Sequence, residues 1–188
     1  MPFSSKRARE PLEAAALYEY AVRSLGRKMR TIAELKRLLR RRVEADESGD
    51  AKITAVIIRL QEQHYLDDTV YANEFARLRQ EHEKFGKRRV QQDLMQRGVA
   101  GEIVSTTLDA LYDHIPEETQ VRRFIERKRL KAPQDDKQTA RIVRMLMRAG
   151  FRTNSIFKVL KQWNVPEETL AAVESIDEAT LRTEDPES

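Results

Sequence analysis

The chain has 188 residues, of which 40% are hydrophobic, 6% aromatic and 35% charged. It contains no cysteine, which excludes disulfides, thiolate zinc sites and cysteine nucleophiles. The longest apolar run, Ala14 to Tyr18, is too short for a membrane-spanning helix. The polar N-terminus has no apolar export segment, so we expect a cytoplasmic protein.

Charge is distributed unevenly along the chain, although the net charge is only +4. The segment from Glu167 to Ser188 holds eight acidic residues and one basic residue, a local charge of −7. The 166 residues before it hold 34 basic and 23 acidic residues, a charge of +11. Such a basic body attracts nucleic acid or an acidic protein surface, and the attraction weakens with salt. One hypothesis is that the acidic segment competes with DNA for the basic body.

Apolar residues recur at helical spacing and predict three successive groups of three helices. The predicted core positions of the first group are Ala14, Tyr18, Ala21, Leu25, Leu35, Leu38, Leu39, Ile53, Val56, Ile57 and Leu60. Those of the second group are Val70, Tyr71, Phe75, Leu78, Val90, Leu94, Ile103, Thr107, Ala110 and Leu111. Those of the third group are Val121, Phe124, Ile125, Ile142, Met145, Leu146, Ala149, Ile156, Val159, Leu160 and Trp163.

Helix ends carry their own signals. Thr31 and Glu34 predict a capping box, in which Thr31 accepts from the N–H of Glu34 and Glu34 reaches back to the N–H of Thr31. Gly98 and Gly150 each follow the second helix of a group, where a left-handed residue ends a helix without a Cβ penalty. The first group has no such glycine, so its third helix is expected to be set differently.

A junction recurs at a spacing of about fifty residues, once before each of the later groups and once after the last. It reads Leu66-Asp-Asp, then Ile115-Pro-Glu-Glu, then Val165-Pro-Glu-Glu. Proline suits the first helical position, and the acidic residues favour the positive end of the helix dipole. We interpret Asp67 and Asp68 as helix caps rather than as a catalytic carboxylate pair.

The fold class predicted from this repetition is all-α, with three tandem three-helix repeats at 14–65, 66–114 and 115–164. Neighbouring repeats are expected to share a continuous core, because each is too small to bury its apolar face alone. Residues 1–13 form an N-terminal extension. Residues 165–188 are predicted to form an acidic helix that caps the array, with Leu170, Val173 and Ile176 on its apolar side, and a tail.

No motif typical of a nucleotide-binding or hydrolytic enzyme is present. His64, His82 and His114 are scattered and lack the spacing of metal ligands, so each is predicted to be a solvated surface residue. The sequence therefore predicts a binding protein without catalytic residues, metal or cofactor.

Basic residues are concentrated in four segments. Val22 to Arg42 holds nine basic residues against one acidic, Lys84 to Arg97 five against one, Arg122 to Lys131 six against one, and Arg141 to Lys161 six against none. Aromatic residues fall on the apolar stripes, which favours contact with a phosphate backbone over base stacking.

Three stretches of the chain resemble the RecX family, bacterial regulators of the RecA recombinase. They are HYLDDTVYANEFARLR, KFGKRRVQQDLMQRGV and MRAGFRTNSIFKVLKQW, and Thr31 to Leu35 is similar to a Ser/Thr-x-x-Glu-Leu motif of the family. The resemblance covers Ala14 to Trp163. It implies an elongated, curved array of three repeats that binds RecA and its filament on DNA and limits ATP hydrolysis and strand exchange.

The family offers no invariant catalytic signature, so the candidate contacts with RecA or phosphate come from the basic segments. They are Arg88, Arg89, Arg122, Arg123, Arg141, Arg144 and Arg148. Two alternatives stay open at this point. One is a stand-alone DNA-binding protein that uses basic helix faces on the phosphate backbone, and the other is a helical scaffold for a different acidic partner. Whether regulation caps, disassembles or occludes a filament is also open.

Overall fold

The computed structural model describes residues 10–170, and all regular structure in that range is helical, as predicted. The α-helices are α1 (Ala14–Leu25), α2 (Ile32–Leu39), α3 (Glu47–Glu62), α4 (Asp68–Leu78), α5 (Lys87–Gln96), α6 (Gly101–Tyr112), α7 (Glu117–Lys128), α8 (Asp136–Arg148) and α9 (Thr153–Lys161). A 3-10 turn at Arg40–Arg42 follows α2, and a π-helical turn at Arg79–Glu83 follows α4.

The acidic capping helix predicted after Val165 is described only at its start. Residues 167–170 are helical, and Leu170 is buried. The other two predicted apolar positions, Val173 and Ile176, lie outside the described residues.

The chain divides into two compact units. Within the described residues, unit one comprises 10–74 and 94–104, and unit two comprises 75–93 and 105–170. The repeat boundaries predicted from the sequence stay a prediction.

Unit one has an aliphatic core supplied mainly by its first three helices. Helix α1 packs against α3, and α2 contacts both. The buried members of this core are Leu17, Ala21, Leu35, Leu39, Ile53, Val56, Ile57, Leu60 and Leu66. All four positions predicted for α3 are therefore confirmed.

Unit two has a core in which α9 packs against both α7 and α8. Its buried members are Val121, Phe124, Ile125, Ile142, Val143, Leu146, Ala149, Phe151, Ile156, Val159, Leu160, Val165 and Leu170. The rings of Phe124 and Phe151 meet edge to face with centroids 5.7 Å apart, a favoured aromatic geometry. The predicted core positions of α7 and α9 are confirmed except for Trp163, which is only partly buried.

Three helices are rotated relative to the predicted stripes, and in one of them, α6, the predicted Ala110 is exposed whereas Val104 and Leu108 are buried. In α1 the prediction placed Ala14 in the core, but Ala14 is exposed and Leu17 is fully buried. In α4 the predicted Val70 and Leu78 are 52% and 43% exposed. The buried side of α4 consists of the predicted Tyr71 together with Ala72 and Ala76, and a stripe built from alanine is hard to recognise because alanine contributes little to the hydrophobic contrast.

The capping box at the start of α2 forms only in part. The Thr31 hydroxyl oxygen accepts from the Glu34 N–H at 3.0 Å, as predicted. The prediction of the reciprocal bond is wrong, because Glu34 Oε1 accepts from the guanidinium of Arg97 at 2.7 Å instead. A charge-assisted bond to arginine is stronger than one to a neutral N–H. The Thr31 hydroxyl also donates to the carbonyl of Arg97 at 2.7 Å, which ties α2 to the end of α5.

The two aspartates before α4 serve different helices. Asp67 Oδ1 accepts from the N–H groups of Thr69 and Val70 at 2.7 and 3.1 Å, so its predicted role as a cap is confirmed. Asp68 does not cap its own helix. Its Oδ1 accepts from the N–H of Ile32 at 2.8 Å, one of the donors at the start of α2 that lack an intrahelical partner.

The glycines after α5 and α8 adopt the predicted left-handed conformation, with φ of +83° at Gly98 and +94° at Gly150. In the first group no glycine ends the second helix, and α2 continues into the 3-10 turn at Arg40–Arg42. There the essential glycine is Gly49, inside α3. A Cβ added at Gly49 would lie 2.1 Å from the carbonyl oxygen of Glu44, so only glycine allows the start of α3 to approach that loop.

Candidate binding surface

All seven arginines proposed from the sequence lie in unit two, on α5, α7 and α8. Six of them are exposed, and Arg122 is half-buried. Each lies off the apolar stripe of its helix, which accounts for this exposure.

Helix α8 presents three of these arginines along one exposed stripe. The helix begins at a cap in which Asp135 accepts from the N–H of Gln138 at 2.7 Å. Arg141, Arg144 and Arg148 are exposed. None of the three side chains has a hydrogen bond or ion pair within residues 10–170.

Lys137 extends this stripe by one turn and was missed in the sequence. It is exposed, and it lies four residues before Arg141, so it faces the same side of the helix. The signal was available, since a helix starting at Asp136 places Lys137 in its first turn. We call Lys137, Arg141, Arg144 and Arg148 the α8 stripe.

The start of α5 is held against the end of α8. The N–H of Gly86 donates to the carbonyl of Ala149 at 2.8 Å. A Cβ added at Gly150 would lie 2.3 Å from the backbone nitrogen of Arg89. This contact places Arg88 and Arg89 beside the end of α8 that carries Arg148.

Arg88 lines an open groove of about 400 Å³ in unit two. Arg152, at the start of α9, and Lys87 line the same groove. Lys87 is already paired, with its Nζ 2.7 Å from carboxylate oxygens of both Asp109 and Asp113. Burial alone would lower the pKa of Lys87, but the hydrogen bonds to Asp109 and Asp113 outweigh it and raise the pKa. The free cations of this groove are therefore Arg88 and Arg152 among the described lining residues.

The remaining candidates differ in how far they are engaged inside the protein. Arg89 Nε lies 3.2 Å from Asp93 Oδ1, and Arg122 donates to Gln162 Oε1 at 3.1 Å. Arg123 lines a smaller groove of about 160 Å³ and is exposed. The structure thus brings the backbone at the start of α5, which carries Arg88 and Arg89, next to the end of α8, and it places Arg123 in a separate groove.

Chemically, these groups can bind anions. Exposed guanidinium groups form paired hydrogen bonds with phosphate and carboxylate oxygens. His64, His82 and His114 are exposed, as predicted. Within residues 10–170 no cluster of acidic residues and histidines could hold a metal ion, and none of the helices there is long and apolar enough to cross a membrane.

Comparison with known proteins decides the family. A family model described as "RecX, second three-helix domain" matches residues 67–108. The regulatory protein RecX of Leptothrix cholodnii is 31% identical over 159 residues, which cover 84% of this chain and 92% of that protein. The chain belongs to the RecX family.

Other members of the RecX family agree with this assignment. The regulatory protein RecX of Thermus thermophilus is 32% identical over 149 residues, covering 79% of this chain and 91% of that protein. The crystal structure of RecX from Lactobacillus salivarius is similar with a TM-score of 0.62, over 80% of this chain and 96% of that chain. At 19% sequence identity, the similarity to the Lactobacillus salivarius structure shows the fold alone. The resemblance carried by the sequence motifs is confirmed, and the chain is a member of a family of regulatory proteins.

Proposed function

We propose that this protein binds RecA and RecA filaments on DNA in the cytoplasm and inhibits their ATP hydrolysis and strand exchange. It would act as a monomer in the control of recombination, DNA repair and the SOS response. The observation that carries the proposal is the α8 stripe of exposed cations, whose side chains have no hydrogen-bond or ion-pair partner among residues 10–170, in a chain of the RecX family. No step of this function requires a catalytic residue or a cofactor.

The α8 stripe supports binding to an extended anionic surface. Residues 137 to 148 span about 16 Å of helix at 1.5 Å per residue. Four positive charges over that length suit a row of phosphates or acidic side chains better than a single small anion. Their attraction acts over roughly 8 to 10 Å at moderate salt and falls as salt rises.

Arg88 and Arg148 extend the same surface from α8 onto α5. The bond between Gly86 and Ala149 fixes the two helix ends next to each other, so a partner that contacts Arg148 also lies near Arg88. Binding then requires little ordering of the backbone, which lowers the entropic cost of association.

The seven predicted arginines should not contribute equally. Arg89 and Arg122 already interact with Asp93 and Gln162, so a partner must compete with those contacts. Arg88, Arg123, Arg141, Arg144 and Arg148 have no such competitor among the described residues and should contribute most.

The proposal is tested by sedimenting RecA filaments formed on single-stranded DNA and measuring how much of this protein sediments with them. We expect the variant Arg144→Glu/Arg148→Glu to lose affinity by about tenfold or more, since exposed charge pairs across an interface contribute roughly 1 kcal/mol each and reversal adds repulsion.

The matched control is Arg129→Glu/Lys131→Glu, which makes the same change in net charge at exposed residues of unit two outside the α8 stripe. It should sediment almost as the unmodified protein does. Equal losses in both variants would overturn the assignment of the α8 stripe, and failure of the unmodified protein to sediment with filaments would overturn the function.

A further inference from the structure

Unit one contains a basic groove that the proposed function does not use. It has a volume of about 540 Å³ and lies between α2, the 3-10 turn and the first half of α3. Its lining residues are Lys36, Arg37, Arg40, Arg41, Asp50, Ile53 and Thr54. Four cations and one carboxylate give the groove a net charge of +3. The sequence marks this region as the most basic segment of the chain, but only the packing of α2 on α3 gathers these residues around one concave surface.

Most of this charge is available to a ligand. Asp50 forms an ion pair with Arg40, and both side chains are about half exposed. Arg37 Nε donates to the carbonyl of Ala33 at 3.3 Å. Lys36 and Arg41 are exposed, and neither side chain has a hydrogen bond or ion pair within residues 10–170. Holding four cations around one groove costs electrostatic repulsion, which a bound anion would relieve.

The arrangement of the cations suits a polymeric anion. Lys36 and Arg37 lie on α2, and Arg40 and Arg41 lie on the 3-10 turn that follows it, so the lining holds two successive pairs of neighbouring cations. A small single anion would engage one pair and leave the other without a partner. A strand with regularly spaced phosphates can engage both.

The rest of the lining favours nucleic acid over an acidic polypeptide. Protein partners usually bury an apolar or aromatic anchor at the centre of an interface. Among the described lining residues the only apolar one is Ile53, and it is 5% exposed, so it offers no pocket for such an anchor. No aromatic ring of residues 10–170 lines the groove, which leaves contacts to phosphate and sugar without base stacking.

We infer that this groove of unit one is a binding site for the sugar-phosphate backbone of a nucleic acid strand. Lys36 and Arg41 supply the free charges, and Arg37 and Arg40 supply guanidinium groups that can hold phosphate oxygens in pairs. Asp50 limits the affinity, because it neutralises Arg40. The site is separate from the α8 stripe, and its function does not depend on RecA.

The test measures fluorescence anisotropy of a labelled oligothymidine of twenty nucleotides, without RecA, over a range of salt concentrations. For the full chain carrying Lys36→Ala/Arg41→Ala we expect binding at least fivefold weaker at low salt. The slope of log affinity against log salt should become shallower by about 1.4, since each phosphate contact on a single strand contributes about 0.7.

Two further variants separate a site from a general effect of charge. Arg27→Ala/Lys28→Ala makes the same charge change at exposed residues of unit one outside the groove, and it should weaken binding less than twofold. Asp50→Asn should tighten binding by two- to threefold, because it releases Arg40. A gain of this kind cannot come from misfolding.

The remaining outcomes decide against the inference. Equal weakening by the two double variants would show that net charge alone acts, and unchanged binding in all three variants would show that DNA lies elsewhere. The same anisotropy measurement with a duplex of the same length shows whether the groove accepts a single strand or a double strand. A site for the sugar-phosphate backbone is consistent with either result. If polyglutamate of matched charge binds more tightly than the oligonucleotide and loses affinity in the Lys36→Ala/Arg41→Ala variant, the groove takes an acidic polypeptide instead.

Discussion

The Asp68 carboxylate lies at the first residue of α4 and accepts a hydrogen bond from the N–H of Ile32, at the start of α2. The residue is only 8% exposed. Burial raises the pKa of Asp68, the bond from Ile32 opposes that rise, and the nearby charges of Asp67 and Glu34 add to it. A raised pKa means that the folded state binds the Asp68 proton more tightly than the unfolded state does.

Asp68 should therefore lower the stability of the fold as pH rises from about 4 upward through its raised pKa. Asp68→Asn keeps an oxygen acceptor for Ile32 but carries no charge. We expect its free energy of unfolding, relative to the unmodified protein, to increase between pH 4 and pH 7 in urea titrations. Asp68→Ala removes the acceptor and should cost about 1 kcal/mol or more at both pH values. A difference between Asn and Asp that does not change with pH would contradict this account.

Gly150 combines a left-handed backbone with a close contact, since its φ is +94° and an added Cβ would meet Arg89. Gly150→Ala should lower the free energy of unfolding by about 2 kcal/mol or more, from strain and from displacement of α5. Gly26→Ala is the control, because Gly26 has φ of −62° and the nearest atom to an added Cβ is 3.6 Å away. It should be neutral or stabilise by up to about 1 kcal/mol. Similar melting temperatures for Gly150→Ala and Gly26→Ala would contradict the close contact between Gly150 and Arg89.

At the scale of single elements, α9 lacks a capping side chain in its own sequence. Glu117 of α7 supplies hydrogen-bond acceptors at the start of α9. One of its carboxylate oxygens accepts from the N–H of Arg152 at 3.1 Å, and the other accepts from the Ser155 hydroxyl at 2.7 Å. The two glutamates of the Pro-Glu-Glu junction before α7 favour the dipole of α7. One of them, Glu117, also positions α9.

Removal of the Glu117 side chain should lower the free energy of unfolding more than removal of the adjacent Glu118 side chain. We expect Glu117→Ala to lower the free energy of unfolding by about 1 to 2 kcal/mol, because it leaves the start of α9 without its acceptor. Glu118→Ala removes an ion pair with the exposed Lys158, for which less than about 1 kcal/mol is expected. Chemical denaturation of both variants gives the comparison. A larger loss in Glu118→Ala would show that the cap does not hold α9.

The sequence predicted helix positions best where the apolar residues are large. Ile53, Val56, Ile57 and Leu60 mark the buried side of α3 without ambiguity, whereas α1 and α4 mix alanine with large residues on both sides of the helix. A change of one residue in the assumed stripe rotates a helix by about 100°, so Leu17 was missed.

The candidate binding surface could also be predicted from the sequence only in part. Exposure of the arginines follows from the helical period alone, and the Arg89–Asp93 pair follows from a spacing of four residues. The contact of Arg122 with Gln162 and the groove of unit one depend on which helices pack together. Spacing along the sequence does not contain that information.

At the scale of the whole molecule, the acidic segment that follows the basic body provides a test of internal competition. The truncation should begin at residue 171, because Leu170 is buried and Glu167 forms an ion pair with Lys161. Residues 171–188 hold six acidic residues and one basic residue. Their removal should tighten binding to DNA at low salt, with the gain disappearing at high salt.

A full-length variant with those six acidic residues changed to their amides is the matched control, since it removes charge but keeps the length of the chain. It should tighten binding as much as the truncation does. If affinity for DNA is unchanged in both proteins, the acidic segment does not compete for the basic surfaces.

The central claim is that the protein regulates RecA by binding its filament. The most direct measurement adds the purified protein to RecA filaments preformed on single-stranded DNA and follows ATP hydrolysis, with binding to the same DNA measured in parallel without RecA. The account predicts that hydrolysis is lost at protein concentrations well below that of RecA, where binding to bare DNA is weak. Unchanged hydrolysis together with tight binding to bare DNA would contradict it and would make the protein a DNA-binding protein in its own right.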